Sequence, residues 1–203
     1  MREKDYSKET RILDETLHLI NSQGLSNISM SKIAKAANVS PATIYIYFEN
    51  KEDLINSLYI KTKTKMSTSI FESLSDTNNI KVQYEQVVTK FIQFMMNYKE
   101  EFLFLEQVQN SPMLKESTLR DSDELFSKLA NLYVDGKNQG ILKDRDIRLL
   151  SLMTSSPAME YAKLFHKGQV EGAQEEIKYI VKMCWDAISK KKLLLKKEYI
   201  FHS

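Results

Sequence analysis

Residues that turn a chain back on itself are scarce here: 203 residues contain five glycines and three prolines. Strands and their tight turns draw on both, so the scarcity favours helices joined by few connections. The spacing of side chains agrees. Ile12, Leu13, Thr16, Leu17 and Ile20 recur at the interval of one buried helical stripe. An all-α fold is the expectation.

Composition narrows the class without deciding it. A hydrophobic fraction of 42% and a charged fraction of 28% are ordinary for a soluble folded protein. Net charge is +2, which neither demands nor excludes nucleic acid, because a local basic face can bind phosphate within a nearly neutral chain. The single cysteine, Cys184, has no intrachain disulfide partner, which fits a reduced, cytoplasmic setting. The first twenty residues lack the apolar core of a signal peptide, and no run approaches a membrane span.

The first helix is expected from about Ser7 to Gly24, a glycine suited to a left-handed C-cap. Ser29 opens a short second helix that ends near Ala37. Asn38 occupies the turn, where asparagine tolerates the left-handed conformation. Ser40-Pro41 starts a third helix as N-cap and first turn. Asn50 caps a fourth helix reaching about Leu74, followed by a loop over Ser75–Asn79. Further helices are expected over about Ile80–Tyr98, from Phe102 to before Pro112, and as one long element to Gln139-Gly140. Two more follow, one from Asp146 through Pro157 and a last one after Gly172. Pro157 is expected to kink its helix or end it early.

Met30 to Tyr45 has the shape of a helix-turn-helix. Ala34 is small where the helices cross, Asn38 supplies the turn, and Val39 and Ile44 plug the interface. A plain helical hairpin would show the same spacing. The wider string is more specific. Ile33-Ala34-Lys35-Ala36-Ala37-Asn38-Val39-Ser40-Pro41-Ala42-Thr43-Ile44-Tyr45-Ile46-Tyr47-Phe48 continues into Glu49-Asn50-Lys51-Glu52-Asp53-Leu54. That run resembles, without a gap, the signature of the TetR family of bacterial transcription regulators, including its Tyr-x-Tyr-Phe and following Lys. The signature covers about a quarter of the chain. Asn38 and Ala42 stand where the family usually has glycine. Asparagine can make the turn, whereas the Ala42 methyl group alters the approach to DNA.

The resemblance implies a helix-turn-helix DNA-binding domain over residues 1–50 and a larger helical effector-binding and dimerisation domain over 51–203. It implies a homodimer on a palindromic operator in double-stranded DNA, control by a small-molecule effector, and no cofactor or metal. Ser29 and Ser31 would touch phosphate. Ser40, Pro41, Ala42, Thr43 and Tyr45 lie where the family meets bases and phosphates. Tyr47 and Lys51 resemble its phosphate-binding tyrosine and lysine, and Phe48 is core. The third helix offers no Arg, Gln or Lys for bidentate base contacts. Thymine methyl contacts and DNA shape are therefore expected to weigh more in readout.

The family's last two long helices usually form the dimer. Here they carry Leu149, Ile177, Val181, Cys184, Trp185 and Ile188, which serve equally well as internal core. Phe91, Phe94, Phe104, Gln107, Tyr133, Met153 and Met159 are candidates for an apolar or aromatic effector's pocket, although plain packing also explains the apolar ones. Glu106 and Glu160 could meet a cationic ligand, but exposure is the ordinary state of a lone glutamate. Lys61, Lys63 and Lys65, spaced at i+2, do not share one helix face. Lys190-Lys191-Lys192 and Lys196-Lys197 fit a solvated end. His18, His166 and His202 lack ligand spacing, and no Gly-rich phosphate loop or HExxH motif occurs. An enzyme is not expected. A DNA-binding regulator, even an activator, governed by a protein partner is the competing possibility.

Overall fold

A computed structural model describes residues 6–72, 74–75 and 77–190. Among them lie α1 (Tyr6–Gln23), a 3-10 turn (Leu25–Asn27), α2 (Met30–Ala36), α3 (Pro41–Tyr47), α4 (Lys51–Phe71) and α5 (Ile80–Asn97). The chain continues through α6 (Lys99–Val108), α7 (Glu116–Glu124), α8 (Ser127–Asn138), α9 (Ile147–His166) and α10 (Gln174–Ile188). No strand occurs among the described residues.

Five of the ten α-helices among the described residues start at a side chain that caps them. Ser29, Ser40, Asn50, Asn79 and Asp146 each accept a backbone N–H of the first turn, satisfying a donor with no partner inside the helix. At the end of α1, Gly24 adopts φ 84°, a conformation that disfavours any side chain.

Two apolar clusters organise the chain. The first joins α1, α2, α3 and the start of α4 through Ile12, Leu17, Ile20, Ile33, Ile44 and Phe48. It does not stop at residue 50. Leu54, Ile55, Leu58 and Tyr59 belong to it, and so do Phe104 and Val108 of α6. The second cluster packs α5 against α9 and α10, with contributions from α4 and α8. At its centre Tyr84 packs against Trp185 in a tilted arrangement, with ring centroids 5.2 Å apart. The hydroxyls of Tyr84 and Tyr133 both reach Thr154 Oγ1, at 2.9 and 3.0 Å, and Thr154 donates to the Leu150 carbonyl at 3.1 Å. Burial raises the pKa of both tyrosines, Tyr133 to about 12.

One element differs from expectation. The long element before Gly140 is two helices, α7 and α8, broken at Leu125-Phe126. The α7 run Glu-Ser-Thr-Leu-Arg-Asp-Ser-Asp-Glu has one large apolar residue and no stripe to bury. The break lets Phe126 set its ring edge-on to Phe71, 6.0 Å away. In contrast, α9 runs through Pro157 to His166 without ending early. Proline removes the donor for the Met153 carbonyl, and both residues lie on an exposed face where water can replace it.

Candidate functional site

The helix-turn-helix is assembled by local bonds that the sequence dictates. Ala37 donates to Ile33 O at 2.8 Å and closes α2. Asn38 then takes φ 51°, which points Val39 N back at Ala34 O, 2.9 Å away. Ile33, Ala34 and Ile44 are buried where α2 meets α3, and Val39 packs on the same cluster. The outer face of α3 stays open, with Tyr45 57% and Ile46 55% exposed. Large apolar side chains left in water on a short helix are informative in a way that exposed polar ones are not.

Each residue expected to meet DNA lies at or near the surface. Ser29, Ser31, Ser40, Pro41, Ala42 and Tyr45 are exposed, while Thr43, Tyr47 and Lys51 are half-buried. Two of the hydroxyls have structural duties. Ser29 Oγ accepts from Lys32 N at 3.3 Å, and Ser40 Oγ accepts from Thr43 N at 3.0 Å while meeting Thr43 Oγ1 at 2.8 Å. Lys51 Nζ donates to the Leu25 carbonyl at 2.7 Å, tying the start of α4 to the turn after α1. Partial burial lowers its pKa. An ammonium carries three donors, and Leu25 takes one. Ile46, absent from the expected contacts, shares the open face with Tyr45. Its signal was an isoleucine off the buried stripe defined by Ile44 and Phe48.

Direct bonds fasten this unit to the rest of the chain. Asn56 is buried on α4, donates to Met113 O at 2.8 Å and accepts from Lys115 N at 3.0 Å. Asn21 on α1 donates to Glu100 O at 2.9 Å and meets Gln107 Nε2 at 3.3 Å.

Two lobes of about 230 and 180 Å³ share Lys63, Met66, Phe91 and Ser155 in their walls, the larger between α4, α5, α8 and α9 and the smaller between α4, α5, α6 and α9. Phe91 borders both, Tyr133 the larger, and Phe94 and Met159 the smaller. Three other expected pocket residues lie elsewhere. Phe104 is fully buried in the N-terminal cluster, Gln107 is exposed beside Asn21, and Met153 is on the outer face of α9. The reason is that α6 is apolar on two sides: Phe104 turns into the N-terminal cluster, while Leu105 packs on both clusters and borders the smaller lobe. Lys63 borders both lobes instead, and Glu106 borders the smaller. Glu106 and Glu160 both bind Lys163, at 3.0 and 2.7 Å, so the chain's own cation fills the place expected of a ligand. Wider surface grooves run along α1 and α4, along α5 and α10, and between α5 and α8.

The expected interface residues divide by exposure. Ile177, Val181, Cys184, Trp185 and Ile188 are buried inside the protomer against α5 and α9. Of that set, only Leu149 is exposed. The open apolar residues of the two helices are Leu149, Leu152, Met153 and Leu164 on α9, with Tyr179 and Met183 on α10. Burial raises the pKa of the Cys184 thiol, which makes it less reactive, and it donates to Thr154 O at 3.8 Å. His202 and the lysines after Lys190 lie outside the described residues. Among the described residues no His, Cys, Asp or Glu cluster is placed to hold a metal ion, and no helix is long and apolar enough to cross a membrane.

Residues 12–58 match the bacterial regulatory proteins of the tetR family, and residues 79–189 match the tetracyclin repressor-like C-terminal domain. An uncharacterized HTH-type transcriptional regulator of Haemophilus influenzae is 24% identical over 193 residues, covering 94% of this chain and 100% of the relative. The fatty acid metabolism regulator protein of Bacillus subtilis is 26% identical over 149 residues, 72% of this chain and 77% of that one. Among solved structures, a TetR family transcription regulator from Marinobacter aquaeolei VT8 superposes with a TM-score of 0.87 at 27% identity, covering 94% of this chain and 100% of the other. These matches are transcription regulators and not enzymes. With the two family matches together spanning most of its length, the chain belongs to the TetR family of helix-turn-helix transcription regulators.

Proposed function

We propose that the chain is a homodimeric repressor that leaves a palindromic operator when a small apolar or aromatic effector fills the cavity behind α6. The observation that carries this reading is the position of α6. Leu105, Glu106 and Gln109 border the smaller lobe, while Phe104 and Val108 complete the core under the helix-turn-helix. A molecule pressing on one side of α6 therefore displaces the floor of the other. Half-sites one DNA turn apart, about 34–36 Å, tolerate little change in the separation of the two recognition helices. An effector shifts that separation only by the difference between its affinities for the two states.

The exposed apolar residues of α9 and α10 support a two-fold interface there, since a palindrome requires a symmetric reader. On the DNA side, Ser29, Ser31, Thr43, Tyr47 and Lys51 are assigned to phosphates. Ser40, Pro41, Ala42, Tyr45 and Ile46 are assigned to the groove, with the apolar ones against thymine methyls. The apolar-lined cavity, part open to the surface, favours a small molecule over a protein partner as the controlling signal.

The test is binding of the full chain to DNA flanking its own gene, followed by fluorescence anisotropy across a salt series. Saturable binding to a short near-palindrome is expected. A Tyr47→Ala/Lys51→Ala variant should bind at least tenfold more weakly, and its salt slope should fall by roughly one for each phosphate that is no longer neutralised. If neither this DNA nor sites selected from random sequence bind above background, the reading is wrong.

A further inference from the structure

Lys63 is an unusual lining residue for an apolar cavity. It sits on α4 in the wall shared by both lobes. Its neighbours along the helix face outward and are paired: Lys61 with Asp14 at 2.8 Å, and Lys65 with Glu101. The i+2 spacing turns Lys63 to the opposite side. There its ammonium lies 4.6 Å from the centre of the Phe126 ring and 5.8 Å from that of Tyr59. Among the described residues it has neither a hydrogen bond nor an ion pair within 4 Å. Partial burial lowers its pKa, and Asp123, at longer range, opposes that shift.

Two carboxylates border the cavity. Glu106 is neutralised by Lys163, and Asp123 is exposed at the rim of the larger lobe. The inner wall therefore presents one cation with all three donors unused, held against aromatic faces. Ser155 stands beside it, bordering the same two lobes, and its hydroxyl also has no bond among the described residues. An aromatic face holds a cation in place without using its N–H groups. A carboxylate arriving there gains a charge-assisted hydrogen bond in a partly dehydrated site, where such bonds are worth more than in water.

We propose that the effector is an apolar molecule ending in a single anionic group, a carboxylate by preference, with that group on Lys63 and the apolar body in the two lobes. This rests on the effector-controlled reading above and names the chemistry of its ligand.

The test uses three probes with one tail and different heads: octanoate, 1-octanol and octylammonium. Their binding to the full chain is measured by calorimetry, with operator release followed in parallel. Octanoate is expected to bind at least tenfold more tightly than octanol, with octylammonium weakest. Lys63→Met should remove the advantage of octanoate while leaving octanol within about twofold, and Lys63→Arg should keep most of it. An octanoate preference that survives in Lys63→Met overturns the assignment. Octanol or octylammonium binding as well as octanoate and releasing the operator overturns the anionic class but leaves effector control standing. Binding of none of the three overturns the proposal. Octanoate bound through Lys63 without operator release keeps the ligand assignment and overturns the release mechanism.

Discussion

Replacing Thr154 by valine should destabilise this protein more than its size suggests. The side chain is buried, and its hydroxyl makes three bonds: it accepts from Tyr84 and Tyr133 and donates to the Leu150 carbonyl. Valine keeps the shape and removes all three. The Leu150 carbonyl lies within α9 and retains its helical environment. The two tyrosine hydroxyls are left in apolar surroundings without an acceptor, at about 1–3 kcal/mol each. A loss of about 3 kcal/mol is therefore expected. Tyr84→Phe should cost only about 1 kcal/mol, because Thr154 keeps its other two bonds. The triple variant Thr154→Val/Tyr84→Phe/Tyr133→Phe removes donors and acceptor together and should recover most of the loss. Urea unfolding at one fixed protomer concentration measures all of these, since association would shift the apparent values. If Thr154→Val is no worse than Tyr84→Phe, or the triple variant is as unstable as Thr154→Val, the two hydroxyls do not depend on Thr154 as described.

Other expectations follow from single positions. Leu152→Asp/Met183→Asp, on the open faces of α9 and α10, should shift the chain toward monomer in sedimentation velocity while helical content stays unchanged; a persistent dimer would place the interface elsewhere. Asn38 at φ 51° should accept glycine with a change within about 1 kcal/mol, whereas Asn38→Val should cost about 1–2 kcal/mol by thermal unfolding, because a β-branched residue resists that conformation. Gly172→Ala should be more damaging than an ordinary loop substitution: φ is 74°, and a Cβ would collide with Met96 and lie 2.8 Å from the Phe165 ring. A melting temperature unchanged from the parent would contradict that crowding.

Much of the fold was legible because local signals agreed with each other. Ser29, Ser40 and Asn50 cap the helices that their positions predict, and Asn38 turns where no glycine is present. The site expectations that the structure rearranges share one cause. Periodicity marks a buried face without saying what buries it. The stripe Ile177, Val181, Cys184, Trp185 and Ile188 is genuine, but the chain's own α5 and α9 cover it, leaving Tyr179 and Met183 outside. On α6, Phe104 joins the N-terminal core while the adjacent Leu105 packs on both cores and borders the smaller lobe, so Phe104 could not be assigned to the cavity or away from it by spacing. The inward lysine did leave a trace. Three lysines at i+2 cannot share a face, and the odd one out is Lys63.

The shared core under α3 also limits how such a chain can be taken apart or recombined. A fragment ending at residue 50 would carry Ile12, Ile20, Ile33, Ile44 and Phe48 without Leu54, Ile55, Leu58, Phe104 and Val108, which belong to the same cluster. The helix-turn-helix unit is therefore not a detachable cassette. Any exchange of C-terminal halves between related chains must carry over compatible residues on the inner face of α6, and a crossover placed at the apparent end of the helix-turn-helix would join two mismatched surfaces.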